Sequence, residues 1–540
     1  MQDPQETRLP DCAIAFIDQL IKRIRYRNKV RQEVRQELVG HFEDELGQCP
    51  DEQARQEKAR QLIQEFGDPK IVASLIRRAK KRCRPVWYRL TIRTIQNAGI
   101  FILYFVICML PLLVGRSTIR IDFVDYINRL VRTSPDESLN ARPYYQKAVE
   151  ILSKDRGWPS LLPSVTWPGD MNDARRMAVA EVLAASGDAL EALRQACSRP
   201  YYWMEYKLEL NQPQGPSAFA AAITSYAQED FTSYRVLATR MALQALWSAY
   251  KGDFNGAMED AIVLTRFGMH LEGKGALVEQ LVGMGIERLG NTCIFTILNN
   301  TQVPAPILRK TRQTLEQYYK ANERIINLDI EKTLYYEYIQ SSFTDDGKGN
   351  GRVLWRGLVF VPTRSRWGLV ARLITFRLPD RKTIVRTIDT LFDALQRLSE
   401  IEPYCAEYEA QLRVISQISQ SNIMVGVSAP AIKQTMRLSL RHKTVRRAIV
   451  AVLAALEYRQ EHGAYPPDLD QLVKAGYLET VPTDPYTGRP FVYRRTESNF
   501  LLYSAGEDQK DDGGIPGTDN RGRPRMWADH GDWIFWPWIG

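Results

Sequence analysis

Six aspartates, Asp508, Asp511, Asp512, Asp519, Asp529 and Asp532, are interleaved with glycines at the end of the chain. Oxygen donors at that density suit a hard cation, since Ca²⁺ takes six to eight carboxylate, carbonyl or water oxygens. The same residues also make solvated turns, so the tail reads as either a calcium site or a plain acidic loop. Other chemistry is sparse. Ser248 and Lys251 stand as SxxK without a KTG element, and neither GxSxG nor HExxH occurs. The DDGKGNGR loop at Asp345–Arg352 has neither EF-hand oxygens nor GxxxxGK spacing and reads as a Gly-rich connection. His41 lies among Glu37, Glu43 and Asp44 with no second His or Cys at metal spacing, so a helix-surface histidine is expected. Seven cysteines occur without a CxxC pair, and Cys197, Cys293 and Cys405 are too dispersed to imply a disulfide framework. No catalytic residue is predicted.

The elements that carry these residues begin with a helical bundle over residues 11–82. Ile14, Ile17, Leu20, Ile21 and Ile24 repeat at three and four residues, as do Val30, Val34, Leu38, Phe42 and Leu46. A third helix opens at Pro50-Asp51, buries Ala59, Leu62, Ile63 and Phe66, and stops at Gly67. Asp68-Pro69 supplies the N-cap and first-turn proline of a fourth.

An uncharged run then separates Arg93 from Arg116, and residues 94–115 are predicted to form one transmembrane helix. As a helix the run reaches about 33 Å, enough for a hydrocarbon core of about 30 Å. Pro111 is tolerable near its outer end. Before it lie Arg77, Arg78, Lys80, Lys81, Arg82, Arg84, Arg89 and Arg93; after it come only Arg116 and Arg120, with Asp122 and Asp125 nearby. That asymmetry predicts a cytoplasmic N-terminus in the inner membrane and an exported C-terminal body. Those eight charges leave about +1 of the formal +9, so the basic balance reflects topology and anionic lipid head groups and gives no argument for nucleic acid.

Residues 121–440 read as an exported, irregular α-α region. Ala245, Ala249 and Tyr250 precede a Gly252-Asp253 turn, and Ala257, Ala261 and Leu264 follow it, a helix pair that resembles a tetratricopeptide unit without a clean 34-residue period. Tyr201, Tyr202 and Trp203, and Tyr335, Tyr336 and Tyr338, are read chiefly as core or rim packing, with a stacking surface as the other use. Residues 441–540 begin with an apolar helix through Ile449, Val450, Val452, Leu453 and Leu456, then turn to short strands at FVYRR and NFLLYS, which predicts a small α+β module.

Two resemblances follow from quoted segments. IDQLIKRIRYRNKVRQEVRQELVGHFEDEL and EFGDPKIVASL resemble the permease-prefix or HAAS-type helical domains, which implies a regulatory or assembly module. YRQEHGAYP, the VPTDPYTG segment over Val481–Gly488, Ser504–Asp508 and Trp527–Asp529 resemble, in order, the globular domain of the type II secretion major pseudopilin. That likeness implies Asp508 and Asp529 as calcium side-chain ligands, the Ala505 carbonyl as a backbone ligand, and Asp511 as a further one displaced by an insertion. The chain departs from the family in having its apolar run far from this module and no GFTLxE-like processing site. The combined expectation is a mainly α, non-enzymatic single-pass envelope protein that docks to secretion or envelope machinery. The alternative is an exported hydrolase using paired carboxylates in the helical region.

Overall fold

The computed structural model describes residues 9–24, 28–82, 86–114, 121–154, 165–206, 218–323, 326–354, 380–421 and 429–539. It is mainly helical with a small C-terminal sheet. The chain divides into two compact units, Met1–Met109 and Leu110–Gly540.

In the first unit, α1 (Asp11–Arg23), α2 (Asn28–Leu46), α3 (Glu52–Phe66) and α4 (Pro69–Arg82) follow the apolar periodicity. Phe16, Ile17, Leu20, Val34, Leu38, Phe42 and Leu62 form their core. The Asp51 carboxylate accepts from Ala54 N at 2.7 Å and caps α3. Gly67 ends that helix at φ 75°, a backbone angle that a side chain would strain. The Asp68 carboxylate then accepts from Lys70 N at 2.7 Å to start α4. Exposed His41 lies edge-on to Phe66, with ring centroids 5.6 Å apart.

The helix α5 (Val86–Val114) contains the apolar run. None of Leu90–Ile107 is buried. Ile100, Phe101, Ile102, Leu103 and Tyr104 are each more than half exposed, and at 100° per residue these consecutive positions cover every face of the helix. The side chains of Lys80, Lys81, Arg82, Cys83, Arg84, Arg89, Cys108 and Pro111, with Arg116 and Arg120, lie outside the described residues.

The second unit starts with α6 (Phe123–Val131), α7 (Arg142–Ser153) and α8 (Asp173–Cys197). Then α9 (Ala218–Tyr250) and α10 (Phe254–Leu271) form the expected helix pair: Ala245, Ala249, Ala257 and Ala261 are buried, and the Asp253 carboxylate caps α10 by accepting from Gly256 N. Next come α11 (Leu277–Asn300) and α12 (Ala305–Ala321). The contact between α10 and α11 is closer still. A Cβ on Gly283 would lie 2.5 Å from the Gly268 carbonyl, and one on Gly290 would lie 2.9 Å from the Ala261 carbonyl. Apolar α11 is also long enough to cross a membrane, but most of it is buried among its neighbours. A second core, with Ile384, Ile388, Leu391 and Leu395, joins α13 (Asp329–Ser342), α14 (Arg381–Glu400) and α15 (Ala406–Ser421).

The 440/441 division drawn from sequence falls inside one long helix, α16 (Ala429–His462). Val445, Ile449, Val452 and Leu453 belong to the same apolar cluster as Leu264, Ile294, Leu308, Leu502 and Trp533, so one core spans the helices and the C-terminal sheet. After the short α17 (Leu469–Lys474), β1 (Val492–Arg495) and β2 (Phe500–Ser504) form the expected antiparallel hairpin. A third strand, β3 (Trp533–Trp536), pairs with β2 and is buried along its whole length.

The α10–α11 approach yields a direct expectation. Gly283→Ala lowers unfolding stability by about 1–3 kcal/mol through overpacking, whereas Gly285→Ala, with open space around its Cβ, changes it by less than about 1 kcal/mol and in the stabilising direction. Denaturant titration of both variants in detergent measures the difference.

Candidate functional site

The acidic tail is occupied with its own turns. The Asp508 carboxylate accepts from Lys510 N at 3.2 Å. Asp511 accepts from the Tyr503 hydroxyl at 2.7 Å and from Gly513 N at 2.9 Å, and the Tyr503 bond, more than any other cause, holds its carboxyl below the usual range. Asp532 is buried and accepts from Asp512 N and Gly514 N, and Asp519 binds Arg523. Exposed Asp529 lies 3.5 Å from the Arg437 guanidinium, which also grips Glu507; Arg441 reaches Glu507 at 3.0 Å. Buried Ala505 follows Ser504, whose hydroxyl donates to Asp484 at 2.9 Å. Among the described residues, Asp508, Asp511 and Asp529 do not form a group whose carboxylate oxygens all lie within 4.8 Å of one another. Arginines from α16 hold Glu507, and Arg437 also reaches Asp529.

The remaining candidates also separate. The Ser248 hydroxyl accepts from Gln244, while Lys251 lies over the Trp247 ring. Asp346 accepts from Lys348 N and Asn350 N, and Asp345 pairs with Arg381, which makes the Gly-rich loop a self-braced turn. Tyr202 and Trp203 are buried, and Tyr335 packs against Phe392 in the second core. Cys197, Cys293 and Cys405 are free thiols, and burial pushes Cys197 and Cys293 up to about 12.

One cluster does converge. Among the described residues, Glu272, Glu287 and His442 are the set of three acidic, His or Cys side chains whose ligand atoms all lie within 4.8 Å of one another. Glu272 caps the end of α10, Glu287 lies one turn beyond Gly283 on α11, and His442 and Arg446 lie one turn apart on α16. The glycine contact brings the two carboxylates together, and α16 brings the two bases to them. His442 Nε2 lies 2.9 Å from Glu287 and 3.4 Å from Glu272. Arg446 donates through Nε to Glu287 at 2.8 Å and through Nη2 to both carboxylates, at 2.7 Å to Glu272. Its Nη1 donates to the Asn322 carbonyl at 3.0 Å, and the guanidinium lies 5.1 Å from the centre of the Tyr319 ring.

All four side chains belong to buried residues. Burial alone would raise both carboxyls. For Glu287 the positive charges of Arg446 and His442 outweigh it, holding that group well below the usual range; for Glu272, burial and the Glu287 charge prevail and raise it. Burial would lower His442, but the two glutamates push it up to about 9. With His442 protonated the quartet is neutral. A divalent ion on neutral His442 would instead leave an uncompensated positive charge, which a dry interior penalises heavily. The arrangement thus suits a protonated histidine better than a metal, and the carboxylates are turned to their cationic partners.

Sequence reasoning passed over this cluster because its members lie far apart; Glu287 and Arg446 are separated by 159 positions. Two signals were present: a glutamate within the apolar, Gly-rich VGMGIERLG, and a His and an Arg one turn apart leading into an apolar helix. Comparison with protein-family models, with curated proteins and with solved structures finds no match to this chain.

Two expectations follow. The folded-state pKa of His442 is raised above its ordinary 6.5, so its stabilisation is complete below about pH 6.5 and is lost as pH rises through about 9. Thermal melts should show this as a fall in stability of about 3 kcal/mol across that window, and His442→Gln should remove the step. For the tail, adding calcium after chelator treatment should leave the melting temperature unchanged; a calcium-dependent rise abolished by Asp508→Ala would contradict the arrangement described.

Proposed function

We propose that this chain is a non-enzymatic, single-pass membrane protein whose N-terminal bundle faces the cytoplasm and whose helical body is an exported docking platform. The observation that carries the proposal is α5, whose apolar side chains face outward on every side. In water such a surface would cost about 25 cal/mol for each Å² left exposed, whereas a hydrocarbon layer accepts it. The positive charges that precede α5 support the orientation.

The non-enzymatic part is supported by the fate of the paired carboxylates. A hydrolase of the paired-carboxylate kind needs its two acids to face a substrate-sized opening. Glu272 and Glu287 are instead buried and paired with Arg446 and His442. Docking to envelope or secretion proteins rests on the pseudopilin-like segments.

Fractionation and a topology reporter test the reading. The chain should stay in the membrane pellet after alkaline carbonate, and alkaline phosphatase fused after Gly540 should be active in intact cells. Release by carbonate, or a cytoplasmic reporter, would contradict it.

A further inference from the structure

An open cleft of about 910 Å³ lies between the loop joining α11 to α12, the end of α16, and the sheet. That volume suits a ligand of several rings. Its polar lining consists of carboxamides, hydroxyls and one guanidinium, with no Asp, Glu or Lys.

Three of the amides are held at one end and unpaired at the other. Asn300 donates from Nδ2 to the Thr296 carbonyl at 2.8 Å, and Gln460 donates from Nε2 to the Val303 carbonyl. Asn499 accepts through Oδ1 from Phe500 N at 2.9 Å and from the Trp536 indole at 2.8 Å. This leaves two amide oxygens and one amide NH₂ without side-chain partners among the described residues. Hydrogen bonds to the protein thus orient these groups before any ligand arrives.

Arg459 adds a charge. Its Nη1 donates to the Tyr465 hydroxyl at 2.8 Å, and it pairs with no carboxylate among the described residues. Glu457 and Glu461, on the opposite face of α16, are engaged by Arg309, and Glu457 also by Arg312. The cleft therefore holds one uncompensated cation beside oriented donors and acceptors.

We propose that this cleft binds a carboxylate-bearing sugar. The Arg459 guanidinium takes the carboxylate through its planar fork. The amides of Asn300, Gln460 and Asn499 take ring hydroxyls, each of which both donates and accepts. A peptide would be held by main-chain bonds or apolar sockets. Here Leu298, Val303, Pro304, Leu308 and Leu456 line the cleft beside the amides and hydroxyls, and the Tyr465 and Trp536 rings are packed against Phe500; a peptide that bound as well as the charged sugars would count against the proposal.

A glycan array carrying uronate, sialate and muramate sugars beside uncharged counterparts, probed with the full chain in detergent, tests it. The expected result is saturable binding of at least one carboxylate-bearing glycan over its neutral counterpart. Calorimetry with that glycan should show affinity weakened about tenfold or more by Arg459→Gln, with the charge preference lost. Asn499→Ala should weaken charged and neutral sugars alike, with melting curves confirming that both variants are folded. Absence of binding to every carboxylate-bearing glycan, equal binding of neutral ones, or indifference to Arg459→Gln would overturn the proposal.

Discussion

Two carboxylates can both stay ionised in one buried site when positive charge is buried with them, and α16 supplies that charge. His442 and Arg446, one turn apart, reach Glu272 and Glu287 from outside the α10–α11 hairpin. Removing any one member leaves a buried charge without its partner, typically a cost of about 3–5 kcal/mol. The same helix carries Glu457 to Arg309 and Arg312, Arg447 to Glu402, and Arg441 to Glu507. It also supplies Val445, Ile449 and Leu453 to the shared core. Salt bridges on several sides fix its position in the stack, and the apolar contacts provide most of the burial.

The consequence for function is that the C-terminal sheet is not an independent cap. The segments that follow α16 fold against helices that come from far upstream. Asp484, in the VPTDP segment, is buried and accepts from Tyr486 N and the Ser504 hydroxyl, so that motif has a structural role. The acids that follow shape turns, and the guanidiniums of Arg437 and Arg441 hold Glu507. Residue types suited to oxygen coordination are used here for loop bracing because α16 brings arginines to them.

Legibility in the sequence followed the range of the interactions. The boundaries of α3 and α4 could be read from Asp51, Gly67 and Asp68-Pro69, because caps act within a few residues. The α9–α10 pair and the β1–β2 hairpin were equally local. The third strand was not anticipated: four consecutive buried residues have no alternation to reveal them, and β3 is separated from β2 by a long loop. The 440/441 division falls inside α16 because the change in sequence character comes after that helix, while its packing partners lie on both sides of it. The Glu272–Glu287–His442–Arg446 cluster depends on a close glycine contact that becomes visible only once α10 and α11 are placed.

Native-state hydrogen exchange across a denaturant series measures whether α16 makes the second unit one cooperative body. The account predicts that amides of residues 445–455 in α16, 282–295 in α11 and 500–504 in β2 open together, with one free energy and one denaturant dependence. A sheet that opens at markedly lower denaturant while α11 stays protected would contradict it.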